Sequence, residues 1–286
     1  MAQATLRRFE NIAGEFFVDT TCIDCDLCRQ IAPSVFTSAG EMSAVYHQPE
    51  NGAENFDALK ALVTCPTASI GTVHHQSAKQ ASQAYPEKIQ ENVYFCGYAS
   101  ENSYGASNYL IIRPEGNILI DSPRYAGPLV KRIEELGGIR WIFLTHRDDV
   151  ADQEQWASHF HADRIMHIYD SGRVKVERPV EGTEPLWIDN DLCVIPTPGH
   201  TKGHCVLLYN NRFLFSGDHV WWSEHYNSLH ASRSVCWYSW SEQTRSMERL
   251  ANFQFEWVLP GHGRRHHASA DKMQRLLRDC IKRMTR

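Results

Sequence analysis

The chain has 286 residues, 42% of them hydrophobic and 22% charged, with a formal net charge of −5. That length suits one or two globular domains, and the composition excludes a disordered or fibrous chain. Every apolar run is broken by charge well short of the roughly 20 residues that span a bilayer, so no membrane segment is expected.

The start of the chain carries Arg7, Arg8 and Glu10 and no apolar run of the secretory kind. A soluble cytoplasmic protein is therefore expected, although an organelle-targeting extension already removed would leave no trace. The charge is unevenly spread. Residues 1–75 hold nine acids against four bases, and residues 76–286 hold 25 of each. This asymmetry predicts two units with different partners. Neither is basic enough for nucleic acid, and the short Arg264-Arg265-His266-His267 run does not change that.

In chain order, Phe16–Val18 reads as a strand leading into Cys22-x-x-Cys25-x-x-Cys28. Ser34–Tyr46 reads as a hairpin turning at Ala39-Gly40, and Asn55–Val63 as a helix that delivers Cys65 ahead of Pro66. Nine cysteines without a secretory signal argue against a disulfide framework. Three thiols two residues apart, closed by a remote Cys-Pro, suit the corners of an iron–sulfur cubane. A zinc ribbon would normally show two Cys-x-x-Cys pairs. No second triplet follows, so Cys22, Cys25, Cys28 and Cys65 are expected to hold one 4Fe–4S cluster. The run D-T-T-C-I-D-C-D-L-C-R-Q-I-A-P-S-V-F, closed by C-P-T-A-S-I, closely resembles single-cluster bacterial-type ferredoxins over roughly residues 8–73. The resemblance implies a low-potential one-electron carrier. Its acidic surround would steer it toward a basic redox partner protein. The other five cysteines (Cys96, Cys193, Cys205, Cys236 and Cys280) lack ligand spacing and read as small apolar residues.

Residues 76–90 are polar and aperiodic and read as an interdomain linker between a domain at 1–75 and another at 91–286. In the latter, strands are predicted at Tyr94–Tyr98, Asn108–Arg113, Asn117–Asp121, Trp141–Leu144, Arg164–Ile168 and Leu192–Pro196. A hairpin follows, from Cys205–Tyr209 through Asn210-Asn211 to Phe213–Phe215, and then a strand at Trp257–Leu259. Helices are predicted at Gly127–Leu136, Gln153–Phe160, Gln243–Ala251 and Asp271–Met284. The pattern suggests a layered arrangement of sheets and helices.

Twelve of the fifteen histidines lie after residue 140. Four polar clusters occupy strand ends or the loops after them: Thr145–Asp152, Thr197–Thr201, Ser216–His219 and Pro260–Gly263. Imidazoles and carboxylates on such loops can converge on a divalent metal with an open position. The order of these clusters closely resembles the metallo-β-lactamase superfamily, across roughly residues 91–286. The resemblance implies an α+β chain whose second domain is a four-layer αββα fold. Carried over onto this chain, it implies that His146, His200, Asp218 and His262 face the metals. The first motif departs from the family pattern. Asp148 stands at its second histidine position, with Asp149 the other candidate. Two extra residues intervene, and the closing pair is Asp152-Gln153.

The set His146, Asp148, His200 and Asp218 is harder than an all-histidine site and tilts from zinc toward iron or manganese. Asp152, Asp218 and His262 would form a second position, so one or two divalent ions are expected. His204, His219, His225 and His230 read as ordinary polar residues, or as contacts behind the ligands or to the substrate. Trp221, Trp222, Trp237 and Trp240 read equally as core or as the wall of a substrate pocket.

The leading reading is a metal-dependent hydrolase. A metal-activated water attacks an ester or thioester of a small-molecule substrate, Asp218 ligates or bridges metal, and Asp152 orients the nucleophile. The rival is an iron-dependent redox enzyme, flavodiiron-like or persulfide-dioxygenase-like, fed through the ferredoxin domain. A third reading is a non-catalytic electron-transfer adaptor with a vestigial metal site.

Overall fold

Why the ferredoxin-like segment folds is visible at its first strand, β1 (Phe16–Val18), whose three residues are all buried. In the computed structural model, which describes residues 2–285, β1 pairs antiparallel with the later β4 (Ile70–Thr72). Between them come α1 (Leu27–Ile31) and the hairpin β2 (Phe36–Ala39) and β3 (Met42–Val45), turning at Gly40, whose φ is +66°. Next is α2 (Gly52–Thr64), started by Asn51, whose side chain accepts from the Ala53 and Glu54 N–H groups. It buries Ala58, Leu59, Ala61 and Val63 and ends on Cys65.

The segment expected as a linker is folded. It forms α3 (Lys79–Gln83) and β5 (Glu87–Gln90), and Tyr85 between them is wholly buried. β5 opens an antiparallel meander with β6 (Val93–Phe95), β7 (Tyr109–Ile111) and β8 (Ile118–Ile120). Strand β6 stops earlier than its apolar run suggests, because Gly97 and Tyr98 both take left-handed backbone, φ +62° and +48°. Helix α4 (Gly127–Glu135) follows, with Leu129, Val130 and Ile133 buried.

Two units emerge, and neither boundary falls at residue 90. The first runs to Ile139 and includes Ala151–Trp156; the second is Arg140–Val150 with Ala157–Arg286. The second unit contains β9 (Trp141–Phe143). After α5 (Gln153–Phe160) come β10 (Asp163–His167), the short α6 (Ile168–Ser171) and β11 (Arg178–Val180). Strands β9, β10 and β11 run parallel. A second sheet is built from β12 (Leu186–Asp189), β13 (Leu192–Pro196), β14 (Cys205–Tyr209) and β15 (Phe213–Gly217), all antiparallel. The turn from β14 to β15 is Asn210-Asn211, both with positive φ, the hairpin geometry these residues favour.

A small hairpin, β16 (Trp221–Ser223) with β17 (Ser228–His230), precedes α7 (Trp240–Leu250). Strand β18 (Trp257–Pro260) joins β15 in parallel, β19 (His266–His267) pairs with it, and α8 (Ala270–Met284) ends the unit. Helix α8 buries Met273, Leu277, Cys280 and Met284, a single stripe at helical spacing. This stripe packs with Met247 and Leu250 of α7 against Val206, Leu208, Leu214 and Val258 of the sheet. Strands β13, β15 and β18, from which three of the motif loops leave, all contribute to this core. Among the described residues, no helix is long and apolar enough to cross a membrane.

Candidate functional site

The four motif cysteines line one small cavity. Asp24 and Asp26, between them, take left-handed backbone (φ +59° and +65°), which curls the loop so that the thiols converge. Arg29, nearly buried, fixes that curl by binding Asp24 at 2.7 Å and Asp26 at 2.5 Å. The Ser43 N–H donates to Cys22 Sγ at 3.5 Å, and the Ser69 N–H to Cys65 Sγ at 3.3 Å. Gly105 lets its loop approach: a Cβ there would lie 2.6 Å from Cys25 Cβ. Burial, reinforced by the neighbouring cysteines, pushes the Cys25 thiol up to about 12 and the Cys28 thiol higher still. Four crowded thiols with N–H groups aimed at their sulfurs fit a cluster that takes them as thiolates.

The second site is built from three loops of the second unit. Strand β9 leads to His146, Asp148 and Asp149; β13 leads to His200; β15 leads to Asp218. His146 Nε2 lies 3.8 Å from Asp148 Oδ2 and 3.7 Å from Asp218 Oδ2. His200 Nε2 lies 3.4 Å from Asp148 Oδ2 and 3.8 Å from Asp218 Oδ2. Both Nε2 atoms are buried and make no hydrogen bond, since even the 3.4 Å approach lacks the geometry for one. Their other nitrogens are fixed: His200 Nδ1–H donates to the Val235 carbonyl at 2.6 Å, and His146 Nδ1 bonds Thr145 Oγ1 at 2.9 Å. His200 thereby presents its Nε2 lone pair to the carboxylates, the arrangement that a histidine ligand needs, and His146 Nε2 faces the same oxygens.

Electrostatics agree with a cation here. Burial drives the His146 imidazole down to about 4, against the pull of Asp218 and Asp148, so it is neutral at physiological pH. Burial alone would raise the Asp218 carboxyl, but His262, His146 and His200 outweigh it and hold it well below the usual range. His262 Nδ1 sits 2.9 Å from both Asp218 oxygens. His200 beside it likewise lowers the Asp148 carboxyl. Two buried nitrogens without protein partners, facing two ionised carboxylates, fit a divalent ion.

The comparisons with known proteins bear on both sites. The model of the 4Fe–4S single cluster domain of Ferredoxin I matches residues 18–72. Ferredoxin-1 of Desulfocurvibacter africanus is 35% identical over 60 residues, 21% of this chain and 92% of that protein. This segment belongs to the single-cluster ferredoxin family. A hydroxyacylglutathione hydrolase of Citrobacter koseri is 29% identical over 119 residues, 38% of this chain. The chain spans only 45% of that relative's length. The solved metallo-β-lactamase from Pontibacter korlensis superposes with a TM-score of 0.53 at 18% identity, covering 69% of this chain and 97% of that one. The remainder of the chain therefore has the metallo-β-lactamase fold.

Within that fold, the structure groups the expected residues in a particular way. Among the described residues, His146, Asp148 and His200 form one set able to share an ion, and His146, Asp149 and Asp218 form another. Asp152 is in neither. Its Oδ2 accepts the Tyr125 N–H at 2.7 Å, and its carbonyl accepts from Gln155 and Trp156 at the head of α5. Gln153 is the first residue of that helix. His204 is occupied on both sides, bonding Thr197 Oγ1 at 2.9 Å and accepting the Asp218 N–H at 3.2 Å. Of the four tryptophans, Trp222 and Trp240 pack on the core, whereas Trp237 is 60% exposed with its ring centroid 6.1 Å from that of His200.

One residue escaped the sequence reading altogether. Asp170, only 2% exposed, accepts from the Thr201 hydroxyl, from the Gly203 N–H at 2.7 Å and from the Arg147 N–H at 3.3 Å. It ties the loop of His146 and Asp148 to the loop of His200. Gly203 is required there, because a Cβ would meet Asp170 at 2.7–2.9 Å.

Proposed function

We propose that the chain is a metal-dependent hydrolase of an ester, thioester or similar carbonyl compound, joined to a one-electron 4Fe–4S carrier or sensor. The observation that carries this reading is the convergence of His146 Nε2 and His200 Nε2, buried and without hydrogen bonds, on the carboxylates of Asp148 and Asp218. His146, Asp148, His200 and Asp218 would hold the ion, which supplies Lewis-acid polarisation of the carbonyl and activation of a water. Val235 and Thr145 orient the two imidazoles, and His262 keeps Asp218 ionised. Asp148, a third exposed at its side chain, would form the solvent-facing side of that set. Trp237, exposed beside His200, offers an apolar surface to the substrate.

A second reading is favoured by the carboxylate share of the site: an iron-dependent redox enzyme drawing electrons through the cluster. Metal content in anaerobically purified protein separates the two. About four irons with zinc or manganese, and thioester hydrolysis that His200→Ala abolishes together with that metal, supports the hydrolase. Five or six irons per chain without hydrolysis supports the redox enzyme. No metal beyond the cluster would leave only a docking role.

A further inference from the structure

We propose that Asp19 directs a chain of hydroxyls running through Thr21 and Ser69 to Thr67, and that this chain draws the Thr67 proton away from Cys65 and keeps the potential of the cluster low. The inference rests on the carrier-or-sensor reading of the cluster and is independent of the reaction at the second site.

Two segments that β1 and β4 bring together supply the chain. Asp19 follows β1 and Ser69 precedes β4; both are buried, and the Asp19 N–H donates to the Ser69 carbonyl at 2.9 Å. Both oxygens of the Asp19 carboxylate face donors. Oδ2 accepts the Gln3 N–H at 2.9 Å, and Oδ1 accepts the Thr21 N–H at 3.0 Å and the Thr21 hydroxyl at 2.5 Å. Thr21 Oγ1 lies 2.7 Å from Ser69 Oγ, which lies 2.6 Å from Thr67 Oγ1. Thr67 Oγ1 is in turn 3.7 Å from Cys65 Sγ.

Counting protons fixes the direction of the chain. A hydroxyl has one proton to give and two lone pairs. The Thr21 proton is spent on Asp19, so the contact between Thr21 and Ser69 must be filled by the Ser69 proton. The contact between Ser69 and Thr67 then takes the Thr67 proton, and none is left for Cys65. Any other arrangement sets two oxygens lone pair to lone pair at hydrogen-bonding distance, with a buried acceptor left unserved. Cys28 shows the contrast. Ser43 Oγ lies 3.2 Å from Cys28 Sγ, and once that sulfur is a thiolate only the hydroxyl has a proton to give. One ligand sulfur is therefore served by a hydroxyl and another is denied one, keeping the Ser69 N–H at 3.3 Å. Hydrogen bonds to the sulfurs favour the more negative, reduced state and so raise the potential. Asp19, at the far end of the chain, acts on Cys65 without touching its sulfur.

The test is the midpoint potential of the cluster in the full chain, from a redox titration followed by electron paramagnetic resonance. Thr67→Val removes a hydroxyl that gives Cys65 nothing, so the wild-type potential is expected. Ser69→Ala removes the acceptor and frees the Thr67 proton for Cys65, leaving the backbone N–H in place. The reduced form should then be favoured about tenfold, an upward shift of about 59 mV for one electron. Combining Ser69→Ala with Thr67→Val should restore the wild-type value, which a merely structural effect of the Ser69 change would not do. Thr21→Val, which disconnects Asp19, should raise the potential too, because Ser69 then gives its proton to Thr67. Ser43→Ala should lower it. A Thr67→Val protein with a lowered potential overturns the proposal, since Thr67 would already be serving Cys65. So does a double variant that stays as high as Ser69→Ala alone, or a Thr21→Val or Ser43→Ala protein at the wild-type value. A wild type with no reducible cluster overturns the carrier reading and this inference with it.

Discussion

Asp170 concentrates the argument at the level of single residues. Its carboxylate accepts three donors, two of them backbone N–H groups from the loops that carry His146, Asp148 and His200. Removing it as Asp170→Ala strands those donors in a buried place, at about 1–3 kcal/mol each. The more telling change is Asp170→Asn, which preserves shape but turns one acceptor into a donor facing Thr201 or Arg147. Mn²⁺ affinity at the first position is expected to fall by about 10- to 100-fold, because outer groups of this kind aim the ligands. A Mn²⁺ titration of the variant checks this, and rescue by Asp170→Glu would mark an effect of the carboxylate itself. Unchanged affinity would make Asp170 a packing residue only. Nothing in the sequence around Asp170 flags it, since its partners lie 23, 31 and 33 residues away. The convergence of His146, His200, Asp218 and His262 was legible because each sits in a short polar motif at or after the end of an apolar strand. The different surroundings of Asp148 and Asp149 were not. Two adjacent acids in an aperiodic loop look alike until the fold sets Asp148 facing His200 and Asp149 near Asp218.

Secondary structure was readable wherever burial imposed a period. The hairpin at Asn210-Asn211, the four longer helices and the core strands all appear at or near their expected places. Short, half-exposed edge strands such as β11, β12 and the β16–β17 hairpin carry no such period, and Pro179 within β11 actively obscures it. The segment 76–90 is the instructive case. Its composition is that of a linker, yet one residue decides its structure. Tyr85 is wholly buried, its hydroxyl 2.8 Å from Thr64 Oγ1, and its ring packs edge-on against Phe95 and Tyr98. Gly97 makes room for it, because a Cβ there would lie 2.7 Å from the ring. Tyr85→Ala should cost about 3–5 kcal/mol and free the segment. Trypsin should then cut at Lys79 and Lys88, which are exposed but held in α3 and β5 in the wild type. Equal digestion rates for the two proteins would mean that Tyr85 does not anchor the segment.

The chain as a whole joins two chemistries whose charges differ sharply. All of the net −5 falls within residues 1–75, while the remaining 211 residues balance acids and bases. Ionised thiolates around the cluster add to that negative charge. A field of this kind acts before contact, orienting an oppositely charged partner during its approach and raising the encounter rate. We propose a basic protein as the electron donor or acceptor on these grounds. The effect is screened over a Debye length, about 10 Å at 0.1 M salt and about 3 Å at 1 M. Stopped-flow reduction of the cluster by a basic redox protein should therefore slow steeply across that range, while reduction by a small neutral reagent should hardly change. Exchanging Asp57 and Glu54 of α2 for Asn and Gln should flatten the salt dependence with the basic partner, since both acids lie on the ferredoxin segment and away from the four cysteines in sequence. A rate with the basic partner that ignores salt would show that the uneven charge does not guide docking, and the asymmetry would then have to be explained by the solubility of the segment alone.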